Sequence, residues 1–268
     1  SPSSSQAGAE SGTRPLVRST DSWWKKFGTN RRAVGRSVED FEMTDTAAPA
    51  QLRLAVVPVT PLEQNAAILF DDRTKIAVVT DPGGDVPRLM EAIGSLGVTV
   101  EKILLTHGHF DHAGGAAGLK EALEKLQGGP VPIVGPHRDD QFLLERIPES
   151  GARWGVTGLR ACVSDHFVED GEVVRFGDVV LEAVHCPGHS PGSIVYFQPD
   201  VRLAIVGDVI FAGSIGRTDL PRGDHATLMR SIREKLLPLG DDVGFLPGHG
   251  PTSTLGAERD SNPFLVED

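Results

Sequence analysis

Between Thr106 and Gly115 the chain reads THGHFDHAGG. His107 and His109 stand at i and i+2, and Asp111 and His112 follow at once. The apolar run Ile103-Leu104-Leu105 leads into the cluster, and Gly114-Gly115 closes it. The pattern predicts a strand ending in a tight loop that throws alternate side chains to different sides, so that four ligand-type groups converge on one small volume. Neutral imidazole is the commonest protein ligand for a transition metal, and carboxylate joins it in catalytic zinc sites. A chain built around this segment needs a rigid frame for a metal centre.

Three later fragments have the same character. HCPGHSPGS places His189 after a Pro-Gly turn, VGDVIFAGS places Asp208 after an apolar strand, and FLPGHGPTS places His249 after the last strand. Each ligand type stands at a strand end beside glycine, where loops on a rigid scaffold build sites. Only two cysteines are present, Cys162 and Cys186. They are too few for a thiolate zinc site, so the metal must sit in histidine and carboxylate. Two thiols in a long chain also point to a reducing, cytoplasmic compartment rather than to disulfide stapling.

The charge balance bears on partners. With 26 basic and 37 acidic residues the net charge is −11. That disfavours a nucleic-acid partner, because phosphate binding needs a basic surface. An anionic small substrate is compatible with it if a few arginines are focused locally. No stretch approaches the roughly 18 apolar residues of a membrane span, and the hydrophobic content of 39% is that of an ordinary globular protein.

Residues 1–50 differ from the rest. SPSSSQAGAESG is polar and low in complexity, and no usable period follows, so disorder or loose attachment is expected. Met43 would make a plausible native start, with the preceding residues a leader or non-native segment. Glu10, Asp21 and Glu39 argue against a transit peptide.

Regular patterns begin at Gln51, and residues 51–268 form the expected domain. Strands are predicted at 52–56, 67–70, 76–80, 103–105 and 133–134, with helices at 86–96, about 119–126 and 141–146. The second half repeats the theme, with strands at 173–176, 179–184, 193–197, 203–206 and 243–246 and a helix over 225–236. Each half gives strands and then helices. The expected fold is α/β, an αββα sandwich of two mixed sheets with helices on the outer faces.

The order HxHxDH, then His, Asp and His, resembles the metallo-β-lactamase fold superfamily. The tract GSIGRTDLPRGDH after Asp208 and the ending PGHGPTSTLGAERDSNPF are similar to its short glyoxalase II-like branch, the hydroxyacylglutathione hydrolases. The resemblance covers about residues 52–268. It implies that His107, His109 and His189 hold one metal, that Asp111, His112 and His249 hold a second, and that Asp208 bridges them. It also implies that Asp81, in the turn TDPGG, backs a metal-bound histidine. Zinc is the first choice for the two divalent ions, with iron or manganese open. Classical members add a C-terminal helical domain that grips glutathione, whereas here about twenty residues follow His249.

The activity so implied is hydrolysis of a glutathione acyl thioester such as S-lactoylglutathione, by a hydroxide between two metals. Asp111 and Asp208 are the catalytic candidates, Asp111 as a ligand, as an orienting group for the hydroxide, or both. A thiolate leaving group, with a conjugate-acid pKa of about 8.5, needs no strong general acid, and none is identifiable.

Arg217 and Asp219 could pair with each other and fix their loop. Alternatively, Arg217 or Arg222 could meet a substrate carboxylate. His137, His166, His185 and His225 read as surface or capping residues, and Cys186 as a buried thiol. The rival reading is a persulfide dioxygenase with a single iron on His107, His189 and Asp208. A β-lactamase or lactonase fits the tract after Asp208 less well, and a non-catalytic metal-stabilised module would be favoured by a missing ligand, of which there is none.

Overall fold

The elements assemble in the order that their patterns imply. A computed structural model describes residues 51–266 and the backbone of a two-residue strand, β1 (Arg18–Ser19). The first sheet continues with β2 (Leu52–Val59), β3 (Gln64–Asp71), β4 (Ile76–Thr80), β5 (Thr99–Leu104) and β6 (Ile133–Val134), neighbours in space as in sequence. Pairing is antiparallel from β1 to β4 and parallel from β4 to β6.

The second sheet starts with β7 (Val173–Phe176), β8 (Val179–His185), β9 (Ile194–Gln198) and β10 (Leu203–Gly207). A small ribbon, β11 (Ile210–Phe211) and β12 (Ser214–Ile215), interrupts it before β13 (Gly244–Pro247) and β14 (Ser253–Thr254) complete it. The spatial order is β14-β13-β10-β9-β8-β7, with only β10 and β13 parallel.

Period-two alternation explains why the sheets stack. On β3, Ala67 and Leu69 face the second sheet, where they join Tyr196, Ile205 and Leu246. Ile68, between them, faces outward and packs with Leu89, Ile93, Leu119 and Leu123. Those four lie on α1 (Val86–Leu96) and, beyond the short α2 (Phe110–Ala113), α3 (Ala116–Gln127). On β9 the split repeats: Tyr196 points inward while Val195 and Phe197 point out.

α4 (Gln141–Glu145) and α5 (Ile147–Arg153) stand beside the first sheet. The outer face of the second is covered by Leu228 and Ile232, from α6 (His225–Ser231) and the wider π-helical turn Ile232–Leu236 that continues it. Leu255 of α7 (Leu255–Ser261) packs there too, and α8 (Pro263–Val266) ends the described chain. Central strands covered on both faces carry apolar residues on both, as Ala66 to Phe70 do in the fully buried β3.

The αββα sandwich of two mixed sheets therefore stands as expected. β5 starts at Thr99, earlier than its apolar run, because Thr99 and Glu101 alternate outward from a buried Val100. The helices α5 and α7 were not foreseen. Each is seven residues long, and the sequences IPESGAR and LGAERDS bury few apolar side chains. The expectations for residues 1–50 fall outside the described residues, apart from the backbone of β1. Among the described residues, no helix is long and apolar enough to cross a membrane.

Candidate metal centre

The residues that follow β4, β5, β10 and β13 meet at one edge of the sandwich. Backbone bonds of 2.7 Å lock the strand ends there: Ile194 donates to the Thr106 carbonyl, Asn65 to that of Gly248, and Gly248 to that of Gly207. The Asn65 side chain also donates to the carbonyls of Pro247 and Gly250, at 3.1 and 3.0 Å. His249 lies between those two residues and is fixed by them.

The metal loop differs from a simple alternating turn. His109 has extended backbone and caps α2, so Asp111 and His112 project from a helical turn. Convergence comes from the helix, not from strand-like alternation. It also depends on close approach elsewhere: a Cβ on Gly248 would lie 2.1 Å from Asp208 Oδ1 and 2.4 Å from His112 Cε1.

Three imidazole nitrogens face one another on one side. His109 Nδ1 lies 3.0 Å from both His107 Nε2 and His189 Nε2, and those two are 3.3 Å apart. Burial holds all three rings toward the neutral form, His107 and His189 below their usual value and His109 at about 3. Lone pairs so close call for a shared cation. Metal–nitrogen bonds of about 2.0–2.1 Å at tetrahedral angles set nitrogens about 3.3 Å apart, a spacing close to this one.

On the other side carboxylate enters. His249 Nε2 is 3.2 Å from Asp111 Oδ2, and His112 Nε2 is 3.9 Å from the same oxygen. Asp208 turns one oxygen each way, with Oδ1 3.3 Å from His112 Nε2 and Oδ2 3.6 Å from His189 Nε2. Asp208 Oδ1 and His112 Nε2 are buried, yet neither makes a hydrogen bond. Orphaned donor atoms of this kind fit a cation between them, because a buried polar group without a partner is costly. Burial works against a charge on His112, but Asp208 and Asp111 outweigh it and hold the ring well above its usual value. Burial likewise opposes ionisation of Asp208, and His112, His189 and His249 keep it well below the carboxylate range.

The far nitrogen of each of three rings is held by an acceptor. Asp81 Oδ2 accepts from His112 Nδ1 at 2.9 Å, while Asp81 also takes the Thr106 amide (2.7 Å) and hydroxyl (2.6 Å). His189 Nδ1 donates to the Arg217 carbonyl at 2.8 Å and His249 Nδ1 to the Leu62 carbonyl at 3.2 Å. Such outer bonds fix the tautomer and aim the other nitrogen at the metal.

Above the centre opens a cleft of about 680 Å³. His109, Asp111, His189, Asp208 and His249 form its floor, with His107 and His112 buried beneath. Leu62, Phe142, Trp154 and Ile215 contribute apolar walls.

The arginines named from sequence are otherwise engaged. Arg217 makes a two-pronged pair with Asp219, both bonds 2.7 Å, and presents its carbonyl rather than its guanidinium to the site. Arg222 stacks on the Phe142 ring at 4.0 Å. Arg153, on the cleft wall, pairs with Glu149. Arg146 also lines the cleft, and among the described residues no carboxylate pairs with it. Sequence reasoning missed it, since an Arg between two short helices carries no signal.

It also missed Asp140, which ties the metal loop to the His189 loop. Buried Asp140 accepts from the amides of Gly108 (2.8 Å) and Gly192 (2.6 Å) and from the Ser190 hydroxyl (2.7 Å). Burial pushes its carboxyl up to about 6 despite those donors. In RDDQF it reads merely as an acid ahead of a helix.

Of the remaining histidines, His166 pairs with Glu172 and His225 opens α6. The Cys162 and Cys186 thiols are buried and pushed up to about 12.

A mixed-sheet αββα frame with two adjoining His/Asp clusters under a cleft defines a metal-dependent hydrolase. The family model of the metallo-β-lactamase superfamily matches residues 59–249, and the chain belongs to that superfamily. It is 42% identical over 215 residues to the hydroxyacylglutathione hydrolase GloC of Haemophilus influenzae, covering 80% of this chain and 98% of that protein.

Among solved structures it resembles the B3 metallo-β-lactamase BLEG-1, with TM-score 0.70 and 36% identity over 80% of this chain and all of that one. It is equally similar to TTHA1623 in a di-iron-bound form, with TM-score 0.70 and 35% identity over 78% and 99% of the two chains. The clusters here and that di-iron neighbour together support divalent metal ions as cofactors.

Proposed function

We propose that this chain is a binuclear thioester hydrolase of the hydroxyacylglutathione hydrolase type, cleaving S-2-hydroxyacylglutathiones such as S-lactoylglutathione. The observation that carries this reading is the placement of Asp208 between the two clusters, with Oδ1 3.3 Å from His112 Nε2 and Oδ2 3.6 Å from His189 Nε2 and 3.9 Å from His249 Nε2. That arrangement suits two ions rather than the single iron of a persulfide dioxygenase, which would leave Asp111, His112 and His249 without a task. His107, His109 and His189 would hold one ion, Asp111, His112 and His249 the other, and Asp208 both. When bound, such a pair supplies hydroxide at neutral pH and a Lewis acid for the carbonyl oxygen.

The chain's own groups do the rest. Burial opposes a charge on Asp111, but His112 and His249 keep it ionised at the cleft floor. Its carboxylate lies on the open cleft floor, where it can accept a hydrogen bond from the attacking water and orient it. The apolar walls give the acyl group a surface to pack against.

Among the described residues no Lys, Tyr or Cys lines the cleft, and Glu149 on its wall is paired with Arg153. A leaving group that departs as an anion is therefore favoured, and thiolate departs far more readily than an amine nitrogen. This choice separates the reading from the β-lactamase activity suggested by BLEG-1. Arg146, which among the described residues has no carboxylate partner, would meet a carboxylate of the glutathione moiety. The two buried thiols fit a reducing compartment such as the cytosol.

The test is metal analysis of the purified protein together with thioester hydrolysis under nitrogen. Close to two metals per chain and oxygen-independent cleavage of S-lactoylglutathione are expected. Arg146→Ala should raise KM roughly tenfold, as for loss of one charge-assisted bond, with kcat little changed. One iron per chain with oxygen uptake on glutathione persulfide would overturn the reading, as would preferential hydrolysis of a β-lactam.

A further inference from the structure

Outside the cleft, behind the loop that carries His189, lies another group of ligand-type side chains. His137 follows β6 and His185 ends β8, far apart in sequence. Their rings stack with centroids 4.2 Å apart and planes 20° from parallel. The Asp139 carboxylate comes within 3.4 Å of His137 Nδ1. One ligand atom from each of His137, Asp139 and His185 lies within 4.8 Å of the other two.

The outer bonds of both rings are informative. His185 Nε2 donates to the Pro191 carbonyl at 2.8 Å. His137 Nε2 faces Glu169 Oε2 at 3.3 Å, and His137 Nδ1 accepts from the Asp139 amide at 3.3 Å. Each ring thus carries its proton on Nε2, where carbonyl or carboxylate takes it. His185 leaves Nδ1 as a lone-pair nitrogen, while the Nδ1 lone pair of His137 is held by the Asp139 amide and would have to exchange that N–H for an ion. A bond on the far nitrogen is the outer arrangement that orients metal-bound histidine, and three rings of the cleft centre show the same arrangement.

We propose that His137, Asp139 and His185 form a separate mononuclear site for a borderline divalent ion of the zinc type, with water completing the coordination. Two imidazoles and one carboxylate suit zinc and disfavour magnesium or calcium, which take oxygen ligands. The side chain of His137 is only 16% exposed, so its ring is held in place, while Asp139, at 59%, closes the site from solvent.

The position gives such an ion a structural consequence. The His137 amide donates to the Gly192 carbonyl, and neighbouring Asp140 binds Gly108, Ser190 and Gly192. An ion here clamps the 137–140 loop to the end of β8, the two segments from which His189 is hung. Binding to the folded state alone raises stability by mass action.

The experiment is a zinc titration of the metal-loaded full chain, by equilibrium dialysis, against Asp139→Ala and a His137→Gln/His185→Gln double variant. Thermal melts are recorded at each zinc concentration. The wild type should take up one zinc per chain more than either variant, or bind that equivalent at least tenfold more tightly. Its melting temperature should climb with zinc over the same range while that of the variants does not. Cobalt(II) in place of zinc should give a d–d band that the double variant lacks. Equal zinc uptake and equal affinity in wild type and variants would overturn the site, whatever the cleft proves to hydrolyse. Asp139→Ala alters an exposed side chain and keeps the comparison valid if the histidine variant folds poorly.

Discussion

The two halves of the cleft centre solve the same problem in opposite ways. His107, His109 and His189 form an all-imidazole set that burial keeps neutral, with their facing nitrogens 3.0–3.3 Å apart. Asp111, His112 and His249 share their space with Asp208 and Asp81, and there the proton on His112 can stand in for a metal. The imidazole half has nothing to compensate it but a cation, while the carboxylate half is already balanced by a proton. Ligand type, and not ligand number, separates the two halves.

The comparison can be broken first at Asp208, which belongs to both halves. Asp208→Asn should cost at least one metal per chain and lower kcat/KM on the order of 10³-fold, as for loss of the main electrostatic element of a site. Metal analysis and hydrolysis assays read both effects. A variant that kept two metals and near-normal rates would sink the bridging role.

Gly248→Ala removes no ligand, but its Cβ would collide with Asp208 Oδ1 and His112 Cε1. Metal content is expected to fall from two toward one, with loss from the carboxylate half and a partial loss of activity. Loss from the imidazole half instead would show that the halves are not separable.

Proton release sharpens the contrast further. Because His112 is raised well above its usual value and His249 is raised too, metal entering that half must displace protons near neutral pH. Its affinity therefore falls as pH drops. The imidazole half holds its rings neutral, with His109 at about 3, and should bind with little proton release. Calorimetry of the metal-free protein in buffers of different ionisation heat measures the difference. Equal proton counts for both steps would refute it.

The smallest effect concerns the thiols. Cys162 and Cys186 are buried and pushed up to about 12, so a thiol reagent at pH 8 should label neither in the folded protein and leave metal content unchanged. Metal loss on labelling would bring sulfur into the centre after all.

Much of the fold was legible because β-branched runs and period-two alternation report burial directly, as on β3 and β9. The seven ligand-type residues were legible because they stand in short glycine-containing segments just after apolar strands, a rare context for clustered histidine and aspartate. Asn65 and Asp140 were not, since each acts through partners distant in sequence, and nothing local marks Arg146 as a cleft residue. Asp140 meets Gly192 across 52 positions and Asn65 meets Pro247 across 182. The pairing of His137 with His185 was hidden for the same reason.

What the sequence determined alone was the kind of metal chemistry and the strand ends that carry it, because donor type and local pattern are properties of short segments. Only the tertiary structure decided which ligand-type side chains converge, which arginines of the cleft are tied up in pairs, and which histidines meet outside it. Those are distances between segments, and packing of the two sheets is what sets them.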